Sequence, residues 1–166
     1  RPYPVLLGHR NGSVITVKVG DEIKGIGDLK GRTIAIPSKF STHNLLLRKL
    51  LTEQGLEAGK DVELLDMAPP EMVNALATGR IDGYIVAEPF GAQAEMQQVG
   101  KVLILSRDIW PNHICCALNL REELIQSQPQ AVQELVTRFI QAGQFIESNP
   151  GEAARLSTRY FGQKPE

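Results

Sequence analysis

Between positions 33 and 105 short apolar runs alternate with helix-period segments, and no other feature constrains the fold as much. Residues 33–36 (TIAI) suit a buried strand, and Pro37 ends it. Ser41 follows as an N-cap whose hydroxyl can accept from backbone N–H groups one turn on. Phe40 before it and Leu45 after it have the spacing of a hydrophobic staple. Leu46, Leu47, Leu50 and Leu51 repeat on one helical face, and Gly55 stops the helix. Residues 62–65 read as a second strand. Pro69 and Pro70 open a second helix, apolar at Met72, Val73, Leu76 and Ala77 and closed by Gly79. Residues 84–87 read as a strand. Glu88-Pro89 then turns into a helix reaching about Gln98, Gly100 stops it, and residues 102–105 form another strand.

Outside that block, residues 4–7 and 13–19 read as strands around a tight polar turn at 8–12, and residues 114–120 as the last strand. Two helices finish the chain. The first covers 129–146, with Val132, Leu135, Val136, Phe139 and Ile140 on one stripe; the second runs from Pro150 to about Tyr160. Strands alternating with helices predict α/β layers with largely parallel strands. Loop-rich zones at 8–12 and 106–113 bracket the central block, so the chain is expected to enter it once and leave it once.

Composition narrows the function. The 166 residues carry a net charge of −1, with 42% hydrophobic and 5% aromatic residues. A chain of this length buries roughly 70% of its unfolded surface, enough for a core. No apolar run reaches the about 18–20 residues that span a bilayer; Arg48 and Lys49 break the best of them. Charge near zero and few aromatics argue against a nucleic-acid partner held by a basic surface or by stacking. Cys115 and Cys116 are neighbours, which gives neither a disulfide framework nor a CxxC site, so they read as free thiols or small buried hydrophobes. Arg1-Pro2-Tyr3-Pro4 leads straight into a strand-like run with no leader pattern.

Histidines stand at 9, 43 and 113, with no HxH, HExxH or clustered Cys/His. There is no nucleophile elbow and no glycine-rich phosphate loop. No catalytic residue, metal or cofactor is therefore expected. The stretch PSKFSTHN at 37–44 is the most informative. It follows a strand and opens a helix, where open α/β sheets bind their ligands. Free N–H groups and the positive end of the helix dipole favour an anion there, and Ser41, Thr42 and His43 add donors. The same three also read as an ordinary cap, a solvent-facing first-turn residue and a surface histidine. Glu88, at a strand end, reads as a ligand or hinge contact or as a carboxylate capping the next helix. Asp82 reads as a turn residue capping amides, and His113 as a surface-loop residue.

Three segments carry a resemblance. DLKGRTIA at 28–35 is similar to the opening segment of type 2 solute-binding proteins. PPEMVNAL at 69–76, with Gly79, Asp82 and Glu88-Pro89, resembles the nitrate/sulfonate/taurine/bicarbonate receptors of ABC transporters, a group that includes thiamine-precursor receptors. HNLLLR at 43–48 is similar to a helix opening in the nitrate and bicarbonate receptors.

The resemblance implies an α/β, periplasmic-binding-protein type II-like fold with two lobes, one of them incomplete. It places lobe-one strands and a hinge crossing at 1–27, lobe two at 28–108, and the return crossing with lobe-one helices at 109–166. His43 matches the histidine that nitrate receptors place at the ligand, with Ser41 and Thr42 beside it. Glu88 matches a Glu-Pro at the cleft, and Asn11-Gly12 an Asn-Gly at its edge. Cys116 stands where nitrate receptors carry a lysine facing the anion. The implied partners are a small anion or polar metabolite and an ABC permease. An incomplete lobe also implies self-association or a longer parent protein. The implied location is periplasmic or anchored outside the cytoplasm. A regulatory domain fused to a transport ATPase would instead be cytoplasmic, and an enzyme of thiamine pyrimidine synthesis would need a reactive thiol at Cys115 or Cys116.

Overall fold

Five strands form a mixed sheet in the order β4-β3-β5-β2-β6. The computed structural model describes residues 1–20 and 22–161, with the side chains of all of these except His9 and Phe161. The strands are β2 (Ser13–Lys18), β3 (Thr33–Ile36), β4 (Glu63–Asp66), β5 (Gly83–Ala87) and β6 (Gly100–Leu105). β3 lies parallel to both β4 and β5. β2 pairs antiparallel with β5 and with β6. The largely parallel sheet expected from the alternation is thus corrected to a mixed one. The helix-linked strands do run parallel, but β2 enters from outside the repeat and inserts between β5 and β6 in the opposite sense.

Alternation along the strands divides the core between two faces. Ile34, Ile36 and Ile85 join Ile15, Val17 and the helix α1 (Thr42–Glu53) through Leu46, Leu47 and Leu51. Ala35, Tyr84 and Val86 point the other way, against Met72, Val73 and Leu76 of α2 (Pro69–Ala77) and Ala94 of α3 (Phe90–Met96). With both faces covered, β2 and β5 are buried almost end to end. The buried Tyr84 donates its hydroxyl to the Phe90 carbonyl at 2.8 Å. Burial pushes that phenol up to about 12. A side chain at Gly83 would meet the Thr16 carbonyl at 2.8 Å, so only glycine lets β2 and β5 close there. Asp82 accepts from the Thr33 amide at 2.8 Å and pairs with Arg32 at 3.3 Å, in keeping with its reading as a turn residue.

The staple is not made. Phe40 is 88% exposed and Leu45 57% exposed, because the leucines that α1 buries lie on the face turned to the sheet. β1 (Pro2–Arg10) runs through most of the expected turn, which shrinks to Asn11 and Gly12. The zone at 106–113 contains one helical turn, α4 (Ser106–Ile109).

The chain divides into two compact units, His9–Cys115 and Arg1–Gly8 with Cys116–Glu166. The division lies nearer the termini than the 27/28 and 108/109 read from sequence, because β2 is a central strand of the larger unit. Residues 162–166 of the expected last segment lie outside the described residues. β1 pairs with β7 (Ile114–Arg121) in a two-stranded sheet. The smaller unit also holds α5 (Glu122–Ser127), α6 (Pro129–Ser148) and α7 (Pro150–Phe161). Of the α6 stripe only Val132 is buried, while Phe139 and Ile140 are each nearly half exposed.

Candidate functional site

The loop before α1 is fixed by its own polar side chains. Ser41 caps the helix: its hydroxyl accepts from the Asn44 amide at 3.2 Å and donates to the Ser38 carbonyl at 2.6 Å. Asn44 is buried, donates to the Lys39 carbonyl at 2.6 Å and accepts from Arg48 Nε at 3.1 Å. The Ser41 hydroxyl is therefore committed to the loop, as its reading as a cap requires. Thr42, half-buried, is the first residue of α1.

His43 is half-buried, and its Nε2 lies 2.9 Å from the hydroxyl of Ser13. Ser13 opens β2, is fully buried, and donates its amide to the Ser106 hydroxyl at 3.0 Å. The Ser13 hydroxyl also lies 3.1 Å from the thiol of Cys115. Burial, and then His113, hold the His43 imidazole below its ordinary proton affinity, so it is neutral near pH 7. The expectation that His113 is a surface residue is overturned: only 5% of it is exposed. Its Nδ1 lies 2.9 Å from the Trp110 carbonyl. A carbonyl only accepts, so Nδ1 carries the proton. Nε2 of His113 is buried and has no hydrogen-bond partner.

A thiol, a hydroxyl and an imidazole thus stand in line at the start of α1, with a second imidazole close by. A thiol hydrogen is best placed on the Ser13 oxygen, which leaves the serine hydrogen for His43 Nε2 and a proton on His43 Nδ1. The arrangement donates and accepts hydrogen bonds without a formal charge. Among the described residues no group of three or more His, Cys, Asp or Glu could hold a metal ion.

The other residues read from sequence lie elsewhere. Glu88 is exposed and caps α3, accepting from the amides of Gly91 and Ala92 at 3.0 and 3.1 Å. Its own amide donates to the Gly12 carbonyl at 2.8 Å. Asn11 accepts through Oδ1 from the Asn112 amide at 2.9 Å, and both asparagines have left-handed backbones, with φ of 59° and 60°. Cys116 is exposed and belongs to the smaller unit. Neighbouring residues of a strand face opposite ways, so it is Cys115 that meets Ser13. Sequence reasoning missed Ser13, Ser106 and Cys115 because each reaches the site through pairings tens of residues away. The serine directly after the Asn11-Gly12 turn was the one local hint.

Three comparisons bear on this arrangement. The NMT1-like family model matches residues 9–159. The nitrate import ATP-binding protein NrtC of Synechocystis is 32% identical over 150 residues, covering 83% of this chain and 22% of that protein. The nitrate/nitrite binding protein NrtA of Nostoc is 30% identical, covering 84% of this chain and 32% of that protein. The chain thus spans about a fifth to a third of the curated relatives it matches. Among solved structures, a ligand-binding component of an ABC-type import system from Staphylococcus aureus, with zinc bound, superposes with a TM-score of 0.81. It is 32% identical, and the match covers 99% of this chain and 56% of that one. The nitrate-binding protein NrtA from Synechocystis gives a TM-score of 0.86 at 23% identity, over 95% of this chain and 44% of that one, and so shows the shared fold. The mixed α/β fold is that of type II periplasmic binding proteins, and the chain belongs to the NMT1-like family.

Proposed function

We propose that this chain is the ligand-binding part of an ABC importer for a small oxyanion, a sulfonate or a related polar metabolite. The observation that carries the reading is the meeting of His43, Ser13 and Cys115 at the start of α1. Helix-start amides and neutral donors suit an anion, each charge-assisted bond contributing about 1.5–3 kcal/mol net. The names of relatives point the same way: nitrate/nitrite binding, bicarbonate transport and sulphonate binding. Thr42 stands beside His43 as a further donor, and Glu88, Asn11 and Gly12 act by shaping the backbone around the ligand rather than by touching it. On this reading the protein binds and does not catalyse, works outside the cytoplasm and delivers its ligand to a membrane permease. The apolar face of α6 is covered by further polypeptide or by a second copy.

A second reading has its own support. Transport ATP-binding proteins are among the matched relatives; NrtC of Synechocystis and the bicarbonate transport protein CmpC of Synechococcus elongatus each match more than four-fifths of this chain. A ligand-sensing domain joined to a transport ATPase would use the same site. An ATPase segment within the same polypeptide decides for it.

The binding claim is tested by NMR titration of the 166-residue chain with potassium nitrate, sodium methanesulfonate and potassium hydrogen carbonate. Shifts centred on Ser13, His43 and Cys115 are expected with at least one of these salts. Shifts only at exposed lysines, or none, would remove the assignment.

A further inference from the structure

The site described above offers hydrogen bonds and no fixed positive charge. His43, Ser13 and Cys115 form its line of contacts, and His113 adds a buried imidazole whose Nε2 has no partner. Several charged and titratable groups on the neighbouring elements are engaged elsewhere. Arg107 and Asp108 of α4 face each other at 4.0 Å. Asp28, on the 3-10 turn at Ile26–Leu29, accepts from the amides of Lys24 and Gly25. Tyr84 donates to Phe90, and Glu88 caps α3. On α1 itself Arg48 is held by Asn44, and Lys49 pairs with Glu53. Lys18 stands at the far end of β2 from Ser13, and Arg121 on β7 pairs with Glu123. Lys39, in the loop before α1, holds its Nζ 5.3 Å from the centre of the Phe40 ring, and among the described residues the groups invoked are the imidazoles of His43 and His113.

We infer that this site takes up an anion together with one proton, which His43 and His113 hold between them. The inference rests on the proposed anion site and deepens it. An anion brought beside an imidazole raises that ring's proton affinity, since the charged imidazolium gains a close counter-ion. The two rings accept one proton and not two, because like charges at close quarters oppose each other. His113 is built for it: Nδ1–H is spent on the Trp110 carbonyl, and the bare Nε2 is the vacant position for a second hydrogen. On His43 the vacant position is Nε2, where the serine hydrogen would swing away to Cys115. The proton comes from solvent when the ligand is the anion of a strong acid, such as nitrate or an alkyl sulfonate. An acid anion that keeps its own proton, such as hydrogen carbonate, donates a hydrogen bond through it to a bare imidazole nitrogen and needs no proton from solvent.

The test is calorimetry of the 166-residue chain with potassium nitrate and with sodium methanesulfonate, in buffers of different ionisation enthalpy, over about pH 6 to 8.5. Uptake approaching one proton per anion is expected in the upper part of that range, with affinity falling about tenfold per pH unit there. Hydrogen carbonate should show little uptake. His113→Gln, with its fold checked by amide NMR, should bind nitrate with uptake reduced by at least half; if it does not fold, His43→Gln carries the same expectation. Binding centred on His43 with no uptake and a flat pH dependence would overturn the inference and leave the anion site standing. Uptake unchanged in both variants would also overturn it, by placing the proton elsewhere. No binding at His43 at any pH would remove the site and this inference with it.

Discussion

The two units of the chain use the same helical periodicity and come to opposite ends. In His9–Cys115 the leucine face of α1 is covered by the sheet, and Leu46, Leu47 and Leu51 are almost wholly buried. In the smaller unit α6 carries an equally regular stripe, yet Leu135, Phe139, Ile140 and Ile146 stay 38–56% exposed. A stripe specifies a helix with one face to hide; it does not supply what hides it. The larger unit holds its own counter-surface, a five-stranded sheet, whereas the smaller one has two strands and three helices.

That contrast can be broken most directly by cavities. Leu47→Ala should lower the unfolding free energy by about 2–5 kcal/mol, and Phe139→Ala by about 1 kcal/mol or less, read by urea denaturation. Equal losses would mean that the α6 stripe is packed after all. Next in size is the site: His43→Ala should weaken binding of whichever probe anion shifts Ser13 by at least about tenfold, about 1.4 kcal/mol, with the melting temperature little changed. Replacing Phe139 and Ile140 together by serine should reduce self-association in sedimentation velocity, and an unchanged distribution would free the α6 face of that role. The pH dependence should be milder. His43 binds its proton less readily folded than unfolded, so the folded state carries fewer protons and stability falls as pH drops below the ordinary histidine value of 6.5. Stability that rises on acidification through that region would reverse the assignment. Smallest is a difference in rate. Cys116 is exposed and Cys115 half-buried against Ser13, so a thiol reagent should label Cys116 first. Rapid labelling of Cys115 would revive the reading of this chain as a thiol enzyme.

Elements set by local pattern were legible in the sequence. The cap at Ser41, the leucine face, the proline-opened helices and the strands at 33–36 and 84–87 follow from residues within a few positions of each other. The sense of β2 was not legible, because nothing within Ser13–Lys18 says which partners flank it. The site was half legible. His43 stood out by its place at a helix start, whereas of the two adjacent thiols Cys116 was assigned to the ligand and it is Cys115 that meets Ser13. His113 was misread because a polar turn before it looks like surface, and only the tertiary fold buries it.

The insertion of β2 has a consequence for biogenesis. Val14 finds one neighbour at Val86 and the other at Leu105, so the first strand of its unit lacks a partner until β5 is made and keeps one edge open until the last strand has been synthesised. A ribosome must pass position 105 before Ser13 can reach its place, which leaves a nascent chain incompetent for ligand through most of its translation.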